Sequence, residues 1–73
     1  MKTITIEVSD EDAALIEAEL PDINRGEANS HGPLDLQKLA AMLIEDVTLA
    51  IRRPGSWEGA NMSQVLASHG YEL

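Results

Sequence analysis

The side chains best suited to catalysis in this sequence are its two histidines, His31 and His69. Neither has a second histidine or a cysteine three or four residues away, the spacing that begins a metal site on a helix. Each follows a serine, Ser30 or Ser68, but no motif brings the two groups and a carboxylate together as a nucleophile and its base. We therefore predict no enzymatic activity, no metal site and no cofactor.

The charge of the chain narrows the class of partner. It carries 13 acidic and 5 basic side chains, for a net charge of −8 over 73 residues. Phosphate contacts dominate affinity for nucleic acid, so this excess of acid disfavours it, although residues 36–53 hold three basic side chains against two acidic ones. Trp57 and Tyr71 are the only aromatic residues, which argues against a stacking platform for bases.

Three further features predict the compartment. The sequence has no cysteine, which fits a reducing environment. Its first residues lack the basic start and apolar run of a signal peptide. The longest apolar stretch, Leu39 to Ile44, is far shorter than the roughly 18–20 residues that cross a bilayer. We expect a soluble, cytoplasmic protein.

The first eight residues have the period-two pattern of a half-buried strand. Ile4, Ile6 and Val8 alternate with polar residues, and the residue types favour sheet. A lone strand leaves a row of unpaired backbone donors and acceptors. No second strand is evident, so we expect another copy of the chain to pair with this one. The alternative is a monomer in which the strand pairs with the loop at 21–33 or with residues 71–73.

A first helix is predicted from Asp10 to Leu20. Ser9 is placed to cap it together with Asp12, and Pro21 is expected to end it. The segment 21–33 that follows is rich in glycine, asparagine, serine and proline, and reads as a surface connection longer than most loops in compact domains. Such loops are either functional or simply flexible.

A second, longer helix is predicted from about Leu36 to Arg53, with Asp35 as its N-cap. Its apolar residues fill an arc of about 140°, which suits a helix buried on more than one side. One short helix can hardly cover that arc, so a twofold-related copy is again the simplest partner. The arc comprises Leu36, Leu39, Ala40, Leu43, Ile44, Val47, Ala50 and Ile51.

The last twenty residues are predicted to form an extension, 54–73, to a core at 1–53. A short helix is expected from about Met62 to His69, capped by Asn61 and followed by Gly70 in a left-handed turn.

Trp57 lies among turn residues, between Pro54 and Gly59. We expect its ring to pack as a latch beside the long helix, because small cores need their aromatic residues. The alternative is an anchor that projects toward a binding partner.

A strand, a capped helix, a connection and a long apolar helix, in that order, resemble the ribbon-helix-helix family of dimeric repressors and antitoxins. The opening run from Met1 to Glu11 is the most similar part. The resemblance implies two strands paired across a dimer, with outward side chains in the major groove and the start of the second helix on phosphate. The implied DNA-binding residues are Lys2, Thr3, Thr5 and Glu7. The predicted dimer core comprises Ile4, Ile6, Val8, Leu36, Leu39, Leu43 and Val47.

Two features depart from that family. Glu7 is acidic where family members often have a basic or amide side chain. The connection between the helices has thirteen residues with Arg25 as its single basic side chain, where the family has a short turn.

We therefore predict an α+β, mostly helical homodimer with an intermolecular two-stranded ribbon, two main helices per chain and a short C-terminal helix. The leading functional hypothesis is a small DNA-binding transcriptional regulator or antitoxin-like protein, in which residues 54–73 contact a protein partner or close the core. The alternative is an acidic protein–protein interaction module that binds no DNA and presents carboxylates or Trp57 to a basic protein partner.

Overall fold

The computed structural model describes all 73 residues and contains three α-helices and no strand. Helix α1 spans Asp10–Ile23, α2 spans Leu36–Arg52 and α3 spans Trp57–Ser68. The chain forms two compact units, Met1–Lys38 and Leu39–Leu73. The boundary between the units lies within α2, and the predicted division into a core at 1–53 and an extension at 54–73 stays a prediction.

The predicted α+β fold with an intermolecular ribbon is wrong, because the fold is all-helical. Residues 1–9 form no regular secondary structure, and Ile4, Ile6 and Val8 are exposed. Alternation expresses a preference of side chains for a pleated surface, but a strand also needs a neighbour for its backbone hydrogen bonds. This chain supplies no such neighbour, so the segment stays outside the regular structure.

Helix α1 begins where the sequence predicts and ends later. The amide of Asp12 donates to Ser9 Oγ over 3.0 Å, which confirms the cap. Proline removes its own amide from the ladder and its ring crowds the carbonyl four residues earlier, yet the helix continues for two residues past Pro21, where backbone amides can still donate. The amide of Asn24 closes the last turn with a bond of 2.9 Å to the carbonyl of Leu20.

The connection between α1 and α2 is closed by one side chain. Asn24 Nδ2 donates to the carbonyl of Leu34 over 3.0 Å, and the amide of Leu34 donates to Asn24 Oδ1 over 2.7 Å. An asparagine amide thereby replaces a backbone partner for a residue ten positions away. Within the loop, Asn29 Nδ2 bonds the carbonyl of Gly26. The loop ends are held together, as in compact Ω-type loops.

Helix α2 confirms its predicted start. The amide of Lys38 donates to Asp35 Oδ1 over 2.8 Å, so the carboxylate satisfies a helix amide that would otherwise lack a partner. The helix ends at Arg52, within one residue of the predicted end. A basic side chain there complements the negative end of the helix dipole.

Helix α3 is a full turn longer at its start than predicted. Ser56 is the N-cap: its Oγ accepts from the amide of Gly59 over 3.0 Å and donates to the carbonyl of Arg53 over 2.7 Å. The sequence placed the cap at Asn61, since residues 54–59 resemble a turn. Asn61 instead lies within the helix and donates its side-chain amide to the carbonyl of Trp57.

The C-terminal turn confirms its prediction. Gly70 has a φ of 86°, the left-handed conformation that glycine adopts without strain. The amide of Tyr71 donates to the carbonyl of Leu66, and that of Gly70 to the carbonyl of Ala67. These two bonds form the Schellman motif, which satisfies the last carbonyls of α3.

Helices α2 and α3 meet through their backbones at Gly59. A Cβ atom at this position would lie 2.6 Å from the carbonyl oxygens of both Leu49 and Arg53. Only glycine therefore permits this approach. Gly59 and Ala50 are the two buried residues of the chain, and both have little or no side chain. The contact between the helices is close but small.

Candidate protein-interaction surface

The two histidines and the serines that precede them do not lie together in an enclosed site. Ser30 Oγ and His31 Nδ1 are 2.7 Å apart, but they are exposed neighbours on the connection between α1 and α2. His69 is the C-cap residue of α3. No group of three histidine, cysteine, aspartate or glutamate side chains is arranged to hold a metal ion. The absence of enzymatic activity stays a prediction.

The chain exposes far more apolar side chain than it buries. Ala50, which is 4% exposed, is the only buried hydrophobic residue. Thirteen large apolar side chains between Met1 and Leu73 are exposed, each by at least 42%. Isolated apolar residues on a surface are ordinary, so only those that lie together on one element mark a candidate binding surface.

One group of these residues follows a single side of α2. Leu43, Ile44 and Ile51 are exposed, and Val47 is half-buried. At 100° per residue these four positions fall within about 100° of the helix circumference. We call these four residues the α2 apolar arc. It lies wholly within the unit Leu39–Leu73 and contains no charged side chain.

Trp57 projects from the first turn of α3. It is 75% exposed, so the expectation of a latch against the long helix is wrong. The reason is its position: Trp57 and Gly59 lie about 200° apart around α3, and Gly59 faces α2. The ring therefore points away from α2. The sequence signal for this orientation is Ser56. Because Ser56 caps α3, the helix begins at Trp57, and the helical turn sets the direction of the ring.

Helix α1 supplies most of the negative charge. It has six acidic residues among fourteen and no basic one. All six are exposed, and one of them, Asp22, forms an ion pair with Arg25. This helix gives the unit Met1–Lys38 a strongly negative surface. The acidic residues are Asp10, Glu11, Asp12, Glu17, Glu19 and Asp22.

The DNA-binding residues implied by the family resemblance are all exposed, and all lie on the segment before α1. The ribbon that would direct them into a groove is not part of the fold. The start of α2, which grips phosphate in that family, is here capped by the carboxylate of Asp35. The fold therefore lacks the two-stranded ribbon that holds such residues against DNA in that family, and DNA binding stays a prediction. These residues are Lys2, Thr3, Thr5 and Glu7.

The residues predicted for the dimer core fall into two groups. Ile4, Ile6 and Val8 belong to the N-terminal segment and are exposed. The α2 residues lie on the helix from its first turn onward: Leu43 is exposed, and Leu36, Leu39 and Val47 are half-buried. The α2 group retains a helical scaffold, and the N-terminal group does not. Homodimer formation itself stays a prediction.

No helix of the protein has both the length and the apolar character needed to cross a membrane. Comparison with protein-family models, with curated proteins and with solved structures found no match. The chain's own residues define three candidate surfaces, which are Trp57, the α2 apolar arc and the acidic helix α1.

Proposed function

We propose that this protein is an acidic helical module that binds a basic protein partner through Trp57. The observation that carries the proposal is the 75% exposure of Trp57, the only tryptophan, at the start of a capped helix. Tryptophan is among the residues that dominate binding energy at protein interfaces. A ring held on a helix loses less conformational freedom on binding than one on a loose loop.

The charge of the chain indicates the chemistry of the partner. A net charge of −8 favours a partner with basic side chains around an apolar pocket. The net negative charge of the chain would raise the rate of encounter with such a partner, an effect that weakens as salt is added. Trp57 would then supply the contact that slows dissociation.

The cytoplasm is the compartment that we propose for this interaction. The chain has no cysteine and therefore needs no oxidising compartment for disulfide formation. Cell fractionation with an antibody against the chain is the direct check.

The interaction is tested with immobilised wild-type protein and two variants as baits for a cell extract. Trp57→Ala removes the proposed anchor. Tyr71→Ala removes the other aromatic ring, which is similarly exposed but lies beyond the end of α3. We expect a partner that is retained by wild type and by Tyr71→Ala and is lost with Trp57→Ala.

The recovered partner is then titrated against wild-type protein while Trp57 fluorescence is recorded. We expect a blue shift as the ring leaves water, and an affinity at least about thirtyfold lower for Trp57→Ala, corresponding to about 2 kcal/mol for an interface anchor. Equal retention of the same proteins by Trp57→Ala and wild type would contradict the proposal. So would a free protein whose tryptophan is already shielded from quenching by acrylamide, a neutral quencher that the net charge of −8 does not repel.

The first hypothesis from the sequence, a small DNA-binding regulator or antitoxin-like protein, receives no specific support from the geometry. Helix α3 has no basic residue, and Asp35 occupies the start of α2. A titration of random duplex DNA at low salt tests it, because the nonspecific electrostatic attraction is strongest there. Retardation that weakens steeply with added salt would favour the DNA-binding hypothesis over the one proposed.

A further inference from the structure

The α2 apolar arc is a continuous apolar surface that the chain itself leaves open. Leu43 and Val47 lie one helical turn apart, and Ile44 and Ile51 lie two turns apart along the neighbouring line of the same helix. Three of these four side chains are exposed. The contact with α3 at Gly59 uses the backbone of Leu49 and Arg53 and does not include them.

The folded chain buries almost no apolar side chain of its own. Ala50 is its only buried hydrophobic residue. A domain of this size rarely supplies enough core to be stable alone, and disulfides or association with further copies commonly make up the difference. The chain has no cysteine, so association with a second copy is the stabilisation that its sequence favours.

The charge pattern shows why a second copy fits this surface better than it fits the others. A chain with a net charge of −8 repels itself wherever its carboxylates meet. Helix α1 carries six of the 13 acidic residues, whereas the α2 apolar arc has none. Two copies can therefore join along α2 without bringing carboxylates into the centre of the contact.

We infer that the α2 apolar arc is the interface between two copies of this chain. The interface is isologous, so each of the four residues contacts the same surface of the other copy. It differs from the surface proposed for the basic partner, since Trp57 lies on α3 and points away from α2. The inference does not rest on the proposed function, and each can fail without the other.

The mass of the wild-type protein in solution is the first test. Sedimentation equilibrium at micromolar concentration is expected to give twice the chain mass of 7.9 kDa. The midpoint of thermal unfolding is expected to rise with protein concentration, because dimerisation stabilises the folded state by mass action. A monomer at every concentration up to the millimolar range overturns the inference.

The position of the interface is tested with a matched pair of variants. Ile44→Glu places a carboxylate in the α2 apolar arc, and Val65→Glu makes the same change on α3; their exposures are 49% and 47%. In a dimer joined along α2, both copies of the Ile44→Glu carboxylate would be buried in the contact, whereas those of Val65→Glu would stay in water. The dimer dissociation constant is therefore expected to rise at least about thirtyfold for Ile44→Glu and to stay unchanged for Val65→Glu. Equal effects of the two changes overturn the assignment to α2.

A milder pair keeps the inference testable if Ile44→Glu fails to fold. The chain has no cysteine, so Val47→Cys and Gln64→Cys each introduce a single thiol, the first in the α2 apolar arc and the second on an exposed position of α3. A short bis-maleimide is expected to cross-link Val47→Cys into dimers at micromolar concentration and to leave Gln64→Cys monomeric on a denaturing gel. Equal yields from both variants overturn the inference.

Discussion

The two connections between helices in this protein are closed by different physical means. The long one, between α1 and α2, is closed by the amide side chain of Asn24, which makes two hydrogen bonds to Leu34. The short one, between α2 and α3, is closed by the close approach of Gly59 to the backbone of α2. The first depends on the presence of a polar group, and the second depends on the absence of a side chain.

This difference has a consequence for how each region tolerates change. A hydrogen-bonded loop weakens gradually, because water can replace part of what a lost side chain supplied. A backbone contact without space for a methyl group fails sharply, because the helices must separate to admit any atom. Substitutions in the α2–α3 connection should therefore span a wider range of effects than those in the loop.

The largest effect is expected for Gly59→Ala. An added Cβ would overlap backbone atoms of Leu49 and Arg53 at 2.6 Å, so the free energy of unfolding should fall by about 1–3 kcal/mol. This loss should appear although alanine has a helix propensity about 1 kcal/mol better than that of glycine. Urea denaturation followed by circular dichroism at a fixed protein concentration measures it.

Gly55→Ala is the matched control in the same connection. No atom lies within 4 Å of a Cβ at Gly55, and its φ is not positive. Its free energy of unfolding should therefore stay unchanged or rise by up to about 1 kcal/mol. If both variants have equal stability, the close approach at Gly59 is not what closes this connection.

An intermediate effect is expected for Asn24→Ala. It removes both hydrogen bonds to Leu34 at a part-buried position, so stability should fall by about 1–2 kcal/mol, and the Leu34 amide should exchange faster with deuterium. Asn29→Ala, which removes one exposed bond to Gly26, should change stability by less than about 0.5 kcal/mol. Unchanged exchange at Leu34 in Asn24→Ala would show that the loop is held by other contacts.

The smallest effect is expected for Asp22→Asn, which removes the ion pair with Arg25 near the end of α1. Both side chains are largely exposed, so the pair should contribute less than about 0.5 kcal/mol. Glu17→Gln, which neutralises a carboxylate without an ion pair in the same helix, is the control. The two variants should have unfolding midpoints that agree closely in moderate salt. A clearly lower midpoint for Asp22→Asn would show that the ion pair with Arg25 contributes more to stability than its exposure suggests.

Local signals in the sequence predicted the helix caps well. Ser9 and Asp35 cap α1 and α2 as expected, and Gly70 adopts the left-handed turn after α3. Each of these features depends on residues within five positions of one another, so nearby sequence contains the information. Ser56 is not predicted as a cap, because the proline and glycine before it are typical of a turn.

The candidate surface was less predictable. The exposed orientation of Trp57 depends on where α3 begins and on which side of α3 faces α2. The second of these follows from the contact at Gly59, which joins residues from different helices. A sequence pattern shows that Gly59 lacks a side chain, but it does not show what approaches it.

The sequence by itself determined the net charge, the absence of cysteine, the start of α1 and α2, and the apolar stripe along α2, because these follow from composition and short-range hydrogen bonding. The tertiary structure decided that the alternating segment before α1 is not a strand and that Trp57 faces water. The physical reason is the same in both cases. A strand and a buried ring each need a partner from elsewhere in the chain, and only the packing of the elements shows whether that partner is there.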